Sequence, residues 1–228
     1  MRKHNIKSYL ILMTLPILIT GCEVFGLDYQ DSYDFDYEAG LANNQKEMTV
    51  YDFIADRTDI FSLLKEAIDY AGMENEFKQQ NMTYILPTNT ALSSETSSDK
   101  SYFQEHQLSY IDELGDTVTY APISMTAYPK EQIREFLLYH IIKGEYTVNN
   151  IPAEPTWFET CASADTAYVN LYLLKDRNPN ITFNNFDGHY KATIKPRTAN
   201  LYSVPCKSYM HVIDSWLDRP KRDQIHLR

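Results

Sequence analysis

Residues 135–148 read "EFLLYHIIKGEYTV", an apolar run with one histidine set in it. Upstream stands Pro129, which suits a first helical turn because its missing N–H is one that no helix satisfies there. Glu131 lies near the positive end of such a helix. Ile133, Phe136, Leu137 and Ile141 recur at helical spacing and share one face. The pattern predicts a helix that starts at Pro129 and is stopped by Gly144. His140 falls seven residues after Ile133 and three or four after Phe136 and Leu137, hence on the buried side near the C-terminal end. There a ring N–H can satisfy a last-turn carbonyl. His140 therefore reads as a buried, hydrogen-bonded structural residue, not as a base or a metal ligand.

Working toward the N-terminus, "MTYILPTNTAL" (82–92) is a short β-type run closed by Pro87, with Thr88 or Asn89 placed to cap a short helix. "DIFSLLKEAIDYAG" (59–72) puts Ile60, Leu63, Leu64, Ala67, Ile68 and Ala71 at helical spacing, with Asp59 as the expected N-cap and Gly72 as the stop. "TVYDFIADR" (49–57) opens with Thr49 as N-cap. Residues 93–128 hold strand-like pieces without a firm assignment. Toward the C-terminus the period becomes two: 168–176, 180–185 and 189–195 read as strands, with Asp187-Gly188 as a hairpin turn, and "NLYSV" and "YMHVIDSWL" follow. Helices mostly in the first half and strands in the second predict an α+β fold.

The first residues read differently. Arg2, Lys3 and Lys7 precede an apolar segment from Tyr9 to Ile19, too short to span a bilayer and laid out as a signal peptide over 1–21. Ile19-Thr20-Gly21-Cys22 resembles the lipobox of bacterial lipoproteins, in which the cysteine thiol takes the lipid. Each buried methylene of such an anchor adds ~0.8 kcal/mol. Residues 22–46, with five acids and no base in "DYQDSYDFDYEAG", read as a lipidated acidic tether. Cleavage before Cys22 takes Lys+Arg from 21 to 18 against 31 Asp+Glu, a formal charge of −13. So acidic a chain has no footprint for nucleic acid and is repelled by anionic membrane surfaces, leaving the lipid to anchor it.

No GxGxxG, phosphate loop, GxSxG or HExxH occurs. No two histidines stand at the i, i+4 spacing of a helical metal site, and no cofactor or metal is expected. Cys161 and Cys206 are candidates for a disulfide in an extracytoplasmic compartment; a 45-residue closure is worth about 4 kcal/mol in the chain-entropy model. Trp157, in the Pro-flanked "PTWFET", is a candidate ring for stacking on a sugar, and a core tryptophan is the alternative.

Four segments in order resemble a fasciclin domain: "TVYDFIADRTDIFSLLKEAIDYAGM", "TYILPTNTAL", "IREFLLYHIIKGEYTV" and "YMHVIDSWLDRP". The resemblance implies a β-wedge or sandwich packed with several helices over residues 47–220, followed by a polar tail at 221–228. It makes His140, His211, Pro87, Thr88 and Asn89 signature residues of the fold. It implies a non-catalytic adhesion or binding module, and it points to Tyr139 and Asp214 as candidate ligand-binding positions. Two departures stand out: Cys206-Lys207-Ser208 replaces the family's usual Asn-Gly turn, and 93–128 is longer than a compact member needs. The resulting expectation is an outer-membrane lipoprotein facing the cell exterior, binding an extracellular protein or glycan. The alternative is an accessory glycan-binding lipoprotein of a polysaccharide-uptake complex.

Overall fold

The computed structural model describes residues 44–94, 100–174, 180–194 and 199–225. The leader, Cys22 and the tether as far as residue 43 lie outside the described residues.

The first helix, α1 (Val50–Asp56), starts where Thr49 Oγ1 accepts the Asp52 N–H at 3.2 Å. The second, α2 (Thr58–Ala71), begins two residues earlier than an Asp59 cap would start it and bends at Phe61 (φ −124°, ψ 18°). Asp59 therefore does not cap it; its carboxylate pairs with Arg57 at 3.0 Å instead. Gly72 ends the helix at φ +69°, a left-handed conformation open to glycine at little cost.

Strand β2 (Met82–Pro87) is the spine. It pairs in parallel with β11 (Ser208–Ile213) and antiparallel with β5 (Ile141–Lys143). With β10 (Leu201–Ser203) and the two-residue edge β1 (Gln45–Lys46), the order is β1-β10-β11-β2-β5. Gln45 and Lys46, read from sequence as the end of the tether, thus belong to the sheet. A second sheet is a meander of β6 (Thr156–Glu159), β7 (Tyr168–Leu174), β8 (Asn180–Phe183) and β9 (Ala192–Ile194).

Period-two alternation along β2 serves two cores. Tyr84 and Leu86 turn toward α1, α2 and α5 (Lys130–Tyr139), in a core with Phe61, Leu64, Ile68, Leu137, Met210 and Trp216. Ile85 turns to the other face and packs with Ile142, Val169, Leu171, Ile181, Phe183 and Ile213. The result is three layers: helices, the five-stranded sheet and the four-stranded sheet. Each large apolar side chain fully buried between them contributes about 1.5–3 kcal/mol. The class is α+β, with helices concentrated in the first half and strands in the second.

The helix through 135–148 is shorter than its pattern. It ends at Tyr139, with His140 as C-cap, and Ile141–Lys143 form β5. Ile141 and Ile142 face Tyr84 and Thr83 across the ladder, so their β-branched side chains take a strand that their own sequence cannot disclose. Gly144 (φ +104°) turns the chain after β5, and a Cβ there would stand 3.0 Å from the Tyr146 hydroxyl and 3.2 Å from its ring.

Between α3 (Asn89–Leu92) and α5 lie a one-turn helix α4 (Tyr102–Glu105) and a hairpin of β3 (Leu108–Ile111) and β4 (Thr117–Tyr120), which among the described residues pair only with each other. At the C-terminus, residues 222–224 form a single turn, and Arg222 meets Asp165 at 3.0 Å. The described part of the polar tail is thereby tied down, by an exposed pair worth little on its own.

Candidate functional site

His140 and His211 are bound into the interior. His140 accepts the Leu217 N–H on Nε2 (3.0 Å), so its proton sits on Nδ1, which donates to the Phe136 carbonyl (2.8 Å). His211 has the opposite tautomer: Nδ1 accepts from Asn200 N–H (3.1 Å) and Nε2–H donates to the Tyr146 carbonyl (2.9 Å). Burial pushes both imidazoles down to about 4, so both are neutral near pH 7. With both nitrogens of each ring engaged, neither has a lone pair to lend as base or ligand.

Pro87, Thr88, Asn89 and Asp214 form a staple. Pro87 lies opposite Ile213, and Thr88 N–H donates to the Ile213 carbonyl at 3.0 Å. The Thr88 hydroxyl donates to Asp214 at 3.0 Å, while Asn89 Oδ1 accepts the Leu63 N–H at 3.0 Å. Leu63 lies in the first turns of α2, beside the bend, where the helix supplies no regular partner for every N–H. The staple therefore joins the ends of β2 and β11 to the kinked helix. Asp214 is exposed and within reach of a partner.

Tyr139 is not offered to a ligand. It is 1% exposed, its hydroxyl donates to the Tyr168 carbonyl (3.0 Å) and accepts from the Asn184 amide (3.0 Å), and burial pushes its pKa up. The reason is the four-stranded sheet, which covers the end of α5; nothing near residue 139 in sequence announces it.

Cys161 and Cys206 are both free thiols, so the disulfide is absent from the structure. Cys161 N–H donates to Ile141 beside β5, whereas the Cys206 carbonyl accepts from Asn81 on the far side of β2. Burial raises the Cys161 thiol pKa, away from reactive thiolate character. Among the described residues, no group of three His, Cys, Asp or Glu side chains gathers as a metal ion needs.

Trp157 lies on the edge strand β6, not in a loop, and is half-buried; the core tryptophan is Trp216, 4% exposed. The Trp157 ring is 5.8 Å from Phe186, and Phe186 is 4.5 Å from the His189 ring. His189 Nε2 is buried without a hydrogen bond and faces Asp218 at 3.5 Å. A neighbouring cleft of about 220 Å³ is lined by Tyr102, His106, Glu135, Trp216 and Arg219. Burial works against the Glu135 carboxylate, but hydrogen bonds from Ser163 and Arg219 outweigh it and hold its pKa below the usual range.

Sequence reasoning missed the β3–β4 hairpin. Its turn is built by Asp112, whose Oδ1 accepts from Leu114 N–H and Asp116 N–H, both at 2.9 Å, with Gly115 at φ +86°. The signal was present in the β-prone "SYI" and "TVTY" flanking "DELGD". Leu108 packs against the helix-side core, while Tyr110 and Tyr120 meet edge-on at 6.0 Å. Ile111, Leu114 and Ile123 are 74%, 88% and 86% exposed.

No family model matches this chain, and no curated protein does. Among solved structures, it is similar to a FAS1 domain pair from the insect cell adhesion molecule fasciclin I, at 13% identity and a TM-score of 0.48. The match covers 78% of this chain and 53% of that one, so the chain spans about half the length of that structure.

Proposed function

We propose that this chain is a lipid-anchored binding module of the cell envelope, of the adhesion type, which acts through its surface and catalyses no reaction. One observation carries the binding role. Of the six large hydrophobic side chains exposed among the described residues, five (Tyr110, Ile111, Leu114, Tyr120 and Ile123) lie on or beside one hairpin. Single exposed apolar residues are ordinary, whereas a gathered set marks a contact surface. The adhesion class rests on the four fasciclin-like segments. The anchor rests on Cys22 and its lipobox-like context, and the outer-membrane, outward-facing position on that leader followed by an acidic spacer. Metabolic labelling with a palmitate analogue and protease shaving of intact cells test it together. The expected result is label that disappears in Cys22→Ser, and a domain removed from intact cells. An unlabelled chain, or a domain protected until the outer membrane is broken, contradicts it.

A second reading, a glycan-binding accessory of a polysaccharide-uptake complex, is favoured by the row Trp157–Phe186–His189. The half-buried Trp157 and Phe186 rings beside the Asp218 carboxylate suit a sugar, which stacks by its apolar face and donates hydroxyls. A glycan array on which the parent protein gives no signal above Trp157→Ala eliminates this reading.

A further inference from the structure

We infer that the β3–β4 hairpin is the docking element of the binding module, and that its partner is a protein surface with an apolar slot rimmed by Lys and Arg. The inference rests on the binding-module reading above.

Three observations support it. The hairpin stands apart from both main sheets, and an isolated two-stranded ribbon is marginal in water, so its exposed apolar side chains are available to a second surface. Its exposed apolar side chains run along it from the turn: Leu114 is in the turn, Ile111 directly precedes it, and Tyr110 and Tyr120 meet across the two strands. Its charge has one sign. Residues 101–129 carry Glu105, Asp112, Glu113 and Asp116 and not one Lys or Arg.

The charge distinguishes the occupants. Two copies meeting tip to tip would bring like charges together, which costs free energy. An anionic membrane repels the same carboxylates, and burying them in hydrocarbon is expensive. A protein slot bordered by basic side chains takes Ile111 and Leu114 while pairing with Glu113 and Asp116. Asp112 has a different task, because its carboxylate holds the turn.

The test places a photo-cross-linking amino acid at Leu114 of the full-length chain in the cells that make it, with parallel positions at Trp157 and at exposed Gln80. The expected product is a cross-link from Leu114 to another protein, whose cross-linked peptide carries or adjoins Lys or Arg. Its yield falls at least fivefold in Glu113→Lys/Asp116→Lys, a variant that leaves Asp112 intact and keeps the parent melting temperature. Cross-links to lipid, to a second copy or to a surface without basic residues overturn the inference, as does a yield indifferent to the charge reversal. A cross-link from Trp157 with none from Leu114 overturns the hairpin assignment and leaves the binding-module reading standing. None from any position overturns both.

Discussion

The segment 135–148 and the hairpin at 108–120 draw on the same residue types, tyrosine, isoleucine and leucine, and meet opposite fates. In the first, Leu137, Tyr139, Ile141 and Ile142 are enclosed between layers, and His140 uses both ring nitrogens on backbone groups. In the second, Leu108 alone packs on the core, and Tyr110, Ile111 and Leu114 stay in water. Side-chain chemistry does not set the difference; the presence of a second layer does. A segment paired and covered on both faces holds the fold together, while a ribbon paired only with itself leaves its apolar surface in water.

The largest effect expected from this contrast is on acid stability. Both buried imidazoles are depressed from 6.5 to about 4 in the folded protein. Between those values the unfolded chain binds the extra protons, so stability is fully present above pH 6.5 and is lost as pH falls toward 4. The drop is worth roughly 3 kcal/mol per histidine, on the order of 6 kcal/mol together. Urea unfolding measured from pH 7 to pH 4 follows it. The decline starts near pH 6.5, well above the range of ordinary carboxylates, and a flat profile there breaks the contrast.

His140→Ala comes next. It strands the Leu217 N–H and the Phe136 carbonyl and leaves a cavity, for a loss of about 3 kcal/mol in equilibrium unfolding. Asn89→Ala removes the acceptor for Leu63 N–H at the bend of α2 and costs about 1 kcal/mol, read as a lower denaturation midpoint. Leu114→Ser sits at the far end: 88% exposed, it changes stability by no more than about 0.5 kcal/mol. If it instead lowers the melting temperature as much as Asn89→Ala, the hairpin is structural and the contrast fails.

Local chemistry made part of this legible from sequence. The Thr49 cap and the Gly72 stop act within a turn of helix, and β7 and β8 show period two over enough residues to be read. The limits are equally physical. Ile141 and Ile142 continue a pattern that suits helix or strand, and the decision comes from Thr83 and Tyr84, far away in sequence. Asp59 has the right residue type for a cap, but the bend at Phe61 moves the helix start to Thr58. Pro155 suggested a loop around Trp157, although an edge strand accepts a proline just before it. Tyr139 has helix-face spacing on one side, and its burial depends on the second sheet. The hairpin is the largest omission, because a five-residue acidic turn between short β-prone runs is a weak signal until Asp112 is seen closing it.

That His140 and His211 are structural is tested most directly by ¹⁵N NMR of the imidazoles over a pH titration. The account predicts opposite tautomers at neutral pH, with the proton on Nδ1 of His140 and on Nε2 of His211, and no protonation of either until pH approaches about 4. Two imidazoles that titrate near 6.5 as averaged tautomers would contradict it, and would return "EFLLYHIIKGEYTV" to the residues available for chemistry.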